Sequence, residues 1–151
     1  MVCFPAQAEA LALSGTVQTL TPHLEQVILP ETQSEPPFSS LLKAEVQPAS
    51  QKALNPGFSL APHWFRFQLQ NTTDAPVERH LELAHPNIDE VWFFREVGDR
   101  AYQKTVTGRH YPFSRREVAH RHFVFPLHLP AQSTRTYYFR LQSTSAYYVA
   151  A

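Results

Sequence analysis

The chain has 151 residues, with 13 Lys+Arg balanced by 13 Asp+Glu, so its formal charge is zero and it lacks the basic excess of a dedicated nucleic-acid binder. A hydrophobic content of 43% with 13% aromatics excludes a disordered chain, and no apolar run reaches the roughly 18 residues of a membrane span. Thirteen Pro against four Gly suit short strands with Pro-punctuated connections, and a single Cys, Cys3, excludes an internal disulfide and a Cys-rich zinc site.

The chain opens with MVCFPAQAEA, where Ala6-Gln7-Ala8 before Glu9 has the small-x-small pattern of a signal-peptidase site. Residues 1–8 are therefore read as the remnant of a signal peptide, and 9–151 as one domain; a chance Ala-rich start is the alternative. Residues 9–60 are acidic, with five Glu against two Lys. Thr16–Leu20 and Glu25–Leu29 are predicted as short strands, Phe38–Glu45 as a helical turn, and Asn55-Pro56-Gly57 as a turn.

From His63 onward the pattern is a run of strands. HWFRFQLQN (63–71) alternates, with Phe65, Phe67 and Leu69 on one face and Trp64, Arg66, Gln68 and Gln70 on the other. Val77–Ala84 alternates again. Asp89–Val97 is apolar on both faces at Val91-Trp92-Phe93-Phe94, which predicts a central strand, and Gly98-Asp99 predicts a hairpin turn into Tyr102–Thr107. A loop runs from Gly108 through Ser114. Arg121–Leu129 and Thr134–Gln142 complete the series. Strands every 10–13 residues or so, with polar turns, indicate an antiparallel sandwich or barrel. The last residues, Tyr147-Tyr148-Val149-Ala150-Ala151, read as the opening of a further strand, so a C-terminally truncated fragment is expected.

An ordered series of segments carries a family likeness. It runs through Trp64-Phe65-Arg66-Phe67 to Asn71, Leu81-Glu82-Leu83, Ile88-Asp89-Glu90-Val91 and Thr107-Gly108. It continues with Pro112-Phe113-Ser114-Arg115-Arg116, Phe123-Val124-Phe125-Pro126-Leu127 and Tyr138-Phe139-Arg140-Leu141-Gln142-Ser143. In this order and spacing the chain resembles the 7TMR-DISM extracellular type 2 domain from about Leu13 to its end. The resemblance implies an all-β jelly-roll antiparallel sandwich, similar to carbohydrate-binding modules and here lacking its last strand. It also implies a periplasmic sensor domain of a bacterial membrane receptor, coupled to a diguanylate cyclase, histidine kinase or phosphatase module. Contact with the membrane would come only through transmembrane segments of the parent protein.

Four constellations bear on chemistry. Trp64, Arg66 and Gln68 share one strand face and Tyr138, Arg140 and Gln142 another. Side by side they would form an aromatic and guanidinium surface for a sugar or carboxylate, or else ordinary cross-strand pairs. Arg109, Arg115 and Arg116 sit on a long loop where an acidic ligand could bind, or they lie in water beside acids. His120 and His122, two apart on an expected strand start, would present imidazoles about 7 Å apart on one face. With a third ligand such as Glu117 they could chelate a metal, but no Cys or spaced carboxylate cluster supports the site, so neither metal nor cofactor is expected. Asp89 and Glu90 are adjacent and would point to opposite faces, no nucleophile has an identifiable base, and no phosphate loop is present; no enzyme is expected.

The sequence thus predicts a periplasmic ligand-binding sensor domain that takes a carbohydrate or another small polar ligand through Trp64, Arg66, Gln68, Tyr138, Arg140, Arg109 and Arg116. Two other classes stay open: an interaction or homodimerisation module without a small ligand, and the carbohydrate-binding module of a secreted protein.

Overall fold

The structure is a computed structural model that describes residues 10–15, 17–29, 38–57, 59–98, 101–145, 147 and 149. The expected signal-peptide remnant (1–8), Thr16 of the first predicted strand and Asp99 of the predicted hairpin turn lie outside them. In chain order the strands are β1 (Leu11–Ala12), β2 (Glu25–Ile28), β3 (Glu45–Pro48), β4 (His63–Asn71), β5 (Val77–Leu83), β6 (Glu90–Gly98), β7 (Ala101–Thr107), β8 (Phe123–Leu129) and β9 (Ser133–Gln142). Two short helices, α1 (Phe38–Lys43) and α2 (Gln51–Leu54), flank β3.

Alternation in β4 and β9 sets the frame. The two strands pair antiparallel over nine positions, from His63 opposite Leu141 to Asn71 opposite Ser133. Phe65 stacks on Phe139 and Phe67 on Tyr137, each at 5.0 Å between ring centroids. These are cross-strand aromatic pairs, each of a kind that adds roughly 0.2–1 kcal/mol to a sheet. β6 pairs with the other edge of β9, and β7 closes a hairpin with β6. The resulting seven-stranded sheet runs β3-β2-β4-β9-β6-β7. β1 lies parallel to β4 along the half that β2 does not cover.

β5 and β8 form a separate antiparallel pair. Leu81 and Leu83 of β5 and Phe123, Phe125, Leu127 and Leu129 of β8 point inward against the large sheet. Phe93 of β6 stacks on Phe125 of β8 at 4.5 Å, which joins the two layers directly. The chain is therefore an all-β, antiparallel, two-sheet sandwich with an uneven pair of layers.

The chain changes sheets between β4 and β5 and again between β8 and β9, and these two turns hold each other. Buried Asn71 accepts from the Thr73 amide at 3.0 Å, while its Nδ2 donates to the carbonyls of Ala75 and Pro130 at 2.9 and 3.0 Å. Gln132, whose φ of 51° lies in the left-handed region, donates from its backbone to Thr73 and from its side chain to Thr72 and Asp74. Asn71 is thus a buried polar group with its hydrogen-bonding capacity used, as burial requires.

Two expectations need correction, and three elements were missed. Residues 17–20 are irregular and lead into a 3-10 turn at Thr21–His23, where Pro22 has no amide to give to a ladder. Arg121 and His122 belong to a bend, and the strand begins at Phe123. The short strands β1 and β3 and the helix α2 were not predicted.

Candidate functional site

The outer face of the large sheet gathers the aromatic and guanidinium side chains that alternation put together. Register sets Trp64 opposite Arg140 and Arg66 opposite Tyr138. From the other side it sets Trp92 opposite Arg140 and Phe94 opposite Tyr138. Gln68 donates to Thr136 Oγ1 at 3.1 Å. The face is not open, however. Phe38 of α1 stacks on Phe94 at 5.1 Å and meets the Tyr138 ring edge-on at 5.8 Å, and Leu41 of the same helix is buried beside them. Trp64 and Tyr138 are only 6% and 3% exposed. Arg66 is paired with the buried carboxylate of Glu25 on β2.

Arg140 is the most enclosed cation of this face. Its guanidinium lies 4.2 Å from the centre of the Trp92 ring, and it donates to Glu90 at 3.0 Å and to Gln142 at 2.5 Å. Lys104 reaches the same indole from β7, with Nζ 3.8 Å from the ring centre. Burial pushes the Tyr102 phenol up to about 12, with Glu96 and Tyr138 adding to the effect; burial also raises Tyr138. The expected ligand surface is, in the structure, a second core beneath α1. Period-two alternation shows which side chains share a face and carries no information on what covers it.

The loop arginines are also engaged inside the molecule. Arg109 donates from Nε to Asp89 Oδ1 at 2.9 Å and from Nη2 to Ser145 at 3.3 Å. Asp89 Oδ2 accepts from the Thr144 amide and hydroxyl at 2.7 and 2.8 Å. Burial alone would raise the Asp89 carboxyl; the Thr144 bonds and then Arg109 outweigh it and hold the group below its ordinary value. Arg116 donates from Nη1 to the carbonyls of His120 and Arg121 at 2.7 and 2.6 Å, and lies 4.4 Å from the centre of the Phe123 ring. Arg115 stands over Tyr111 at 5.7 Å.

A cleft that the sequence did not signal opens where the two sheets part. Its volume is about 480 Å³, within the range of small-molecule sites. The floor is apolar, from Phe67 and Leu69 of β4, Leu81 of β5 and Leu127 of β8. The rim is polar, from Gln18, Thr19, Thr21, Arg79, His80 and Glu82. Arg79 donates to the Gly15 carbonyl at 3.0 Å, which fastens the segment before β2 across the mouth. Gln18 braces that segment by accepting from the Ser14 amide at 2.9 Å and donating to the Ala12 carbonyl at 3.1 Å.

The histidines settle differently from their expected places. His120 and His122 lie on the bend rather than on a strand, with ring centroids 5.3 Å apart. Glu117, the expected third ligand, is paired with Arg95 and accepts from Thr105 Oγ1 at 2.9 Å. The carboxylate beside the imidazoles is Glu82, whose Oε1 is 2.5 Å from His122 Nδ1. The outward parity of Glu82 in β5 was legible; its diagonal relation to His122 follows only from the β5–β8 register, which sets Glu82 opposite Val124. His128 pairs with Glu78 directly across the same two strands at 2.5 Å.

Among the described residues, no helix is long and apolar enough to cross a membrane. A family model described as 7TMR-DISM extracellular 2 matches residues 21–151. No curated protein and no solved structure matches the chain.

Proposed function

Because the chain belongs to the 7TMR-DISM extracellular 2 family, the periplasmic sensor domains of membrane receptors, we propose that it binds a small polar ligand, with a carbohydrate as the leading class, in the cleft lined by Leu11, Leu13 and residues 17–21 on one side and by β4 and β5 on the other. The observation that carries this reading is the cleft itself. An apolar floor under a polar rim suits a molecule with an apolar ring face and hydroxyl or carboxylate edges. The Trp64 face offers similar chemistry, but its Trp64 and Tyr138 side chains are buried among the described residues. Binding would involve no covalent step. A ligand with unequal affinity for two arrangements of the ectodomain shifts their populations, and the parent receptor carries that shift to a diguanylate cyclase or histidine kinase module.

The test is a thermal-shift panel on this chain with glucose, galacturonate, N-acetylglucosamine-containing muropeptides and succinate. A ligand at about 100 times its dissociation constant adds roughly 2.7 kcal/mol, which is several degrees for a domain of this size. A shift lost in Arg79→Ala and retained in Trp64→Phe supports the cleft. A shift lost in Trp64→Phe and retained in Arg79→Ala moves the ligand to the outer face and overturns the cleft. No shift in a folded sample whose mass rises with concentration overturns ligand sensing in favour of a dimerisation module.

A further inference from the structure

The outer face of the small sheet brings together three donor residues, of which His120 and His122 lie outside the cleft and Glu82 also stands on its rim. Glu82 projects outward from β5 because Leu81 and Leu83 on either side of it point into the core. His122 ends the bend just before β8 and reaches Glu82 diagonally across the strand pair. His120 is brought back beside His122 by the bend, whose backbone amide at His122 donates to His120 Nδ1 at 3.1 Å. Glu82, His120 and His122 each offer one ligand atom, and these atoms all lie within 4.8 Å of one another.

The bend is held from beneath. Arg116 collects the carbonyls of His120, Arg121 and His122 on one guanidinium nitrogen, at 2.7, 2.6 and 3.4 Å. Its guanidinium also rests on the rings of Phe113 and Phe123, 5.1 and 4.4 Å from their centres. The two imidazoles are thus presented by a braced backbone rather than by a free loop, which lowers the ordering cost of binding.

We propose that Glu82, His120 and His122 form a binding site for a divalent transition metal, of the kind that takes Zn²⁺ or Co²⁺. Two imidazoles and one carboxylate are a borderline donor set that favours these ions over Mg²⁺ and Ca²⁺, which prefer oxygen ligands. Ligands on a tetrahedral zinc sit about 2.0–2.2 Å from the ion, so roughly 3.3 Å from each other. The His122–Glu82 pair opens slightly and the remaining donors close, movements that two exposed side chains allow. Three protein ligands leave a position for water or an exogenous anion. The site goes beyond the sensing reading and is tested apart from it.

Isothermal titration of Zn²⁺ into the chain tests the site, alongside His120→Ala, His122→Ala, Glu82→Gln and the control His128→Ala. His128 and Glu78 make a pair on the same face and no third donor joins them among the described residues. One Zn²⁺ per chain is expected, with His128→Ala unchanged. Each ligand substitution should weaken binding by more than the roughly 10- to 100-fold that outer-shell changes cause. Arg116→Lys should fall within that outer-shell range. Glu82→Gln keeps the shape of the residue it replaces, so it reads the site even if a histidine variant unfolds. Wild-type affinity equal to that of the His120→Ala/His122→Ala double variant, or retained in Glu82→Gln, overturns the site.

Discussion

The carbonyl oxygen of Asp89 stands 2.1 Å from where a Cβ on Gly108 would be. Gly108 has a φ of 143°, and the Asp89 carbonyl carbon and Glu90 Cα crowd the same position at 2.7 and 2.8 Å. All three obstacles are backbone at the start of a central strand, so none can step aside. The close approach lets Arg109 and His110 donate their amides to the carbonyls of Ile88 and Asp89, at 2.8 and 3.1 Å. Gly108→Ala is therefore expected to cost more than about 4 kcal/mol or to prevent folding. Gly57→Ala is the comparison: its φ is 63° but nothing lies within 4 Å of the added Cβ. It should cost only the left-handed penalty of about 1–2 kcal/mol. Urea unfolding of both variants checks the contrast, and equal losses would refute the steric account.

Asp89 ties this loop to the end of β9 through Thr144 and Arg109, so its charge contributes to stability. Because those partners hold its folded pKa below the ordinary 3.8, the unfolded chain takes up the proton first as pH falls. The contribution is complete above the unfolded value and is lost as pH drops through the folded one. Asp89→Asn should cost about 2–3 kcal/mol at pH 7, since one amide oxygen cannot replace two carboxylate oxygens. The gap between variant and wild type should narrow below about pH 4. Denaturant midpoints measured from pH 7 to pH 3 would show this; a gap independent of pH would refute it.

His63 carries the opposite kind of linkage, set by burial rather than by a partner. Burial lowers its pKa below 6.5, so the folded domain favours the neutral ring. The unfolded chain then binds the proton first as pH falls, and stability declines from pH 6.5 down to the folded value. His63→Gln keeps a polar contact for Ser59, which lies 3.3 Å from the ring nitrogen, and removes the titration. The expected result is a flatter stability profile between pH 7 and 5. His85, lowered by burial and then by His122, retains part of the slope, and a His63→Gln/His85→Gln double variant should flatten it further. Thermal melts across that range decide it; an unchanged slope in the double variant would count against burial as the cause.

Much of the frame could be read from the chain, and the reasons separate what could from what could not. Phe65, Phe67 and Leu69 alternate with polar neighbours, so β4 and its inward face were legible from residue spacing alone. Val91-Trp92-Phe93-Phe94 made β6 apolar on both faces, which indicated a central strand and a hairpin with β7; its pairing with β9 came only from the structure. The roof over Trp64 comes from Phe38 and Leu41, a tertiary contact that no local pattern encodes. Arg79 reaches the Gly15 carbonyl beside the cleft, and Arg116 holds the bend that carries His120 and His122 where a strand was expected. The Arg79 contact reaches across 64 residues of chain, and the Arg116 contact is local but belongs to a bend, which the two-residue alternation of strands does not encode.

Phe38 offers the sharpest test of whether the aromatic face is core or binding surface. Its ring lies 5.1 Å from Phe94, 4.5 Å from Tyr102 and 5.8 Å from Tyr138, and Trp64 stacks on Phe94 at 5.9 Å behind it. Fully buried Phe→Ala changes cost about 3–5 kcal/mol. Phe38 is half-buried, so Phe38→Ala should cost about 2–3 kcal/mol. It should also move tryptophan emission to longer wavelength, as water reaches Trp64 and Trp92. If α1 were a lid over a ligand surface, the same change would stay within about 0.5 kcal/mol of wild type. It would also strengthen binding of any panel ligand that Trp64→Phe abolishes. Stability and emission measured together on Phe38→Ala distinguish these outcomes, because a core loses both its packing and its dryness while a lid loses neither from the sheet beneath it.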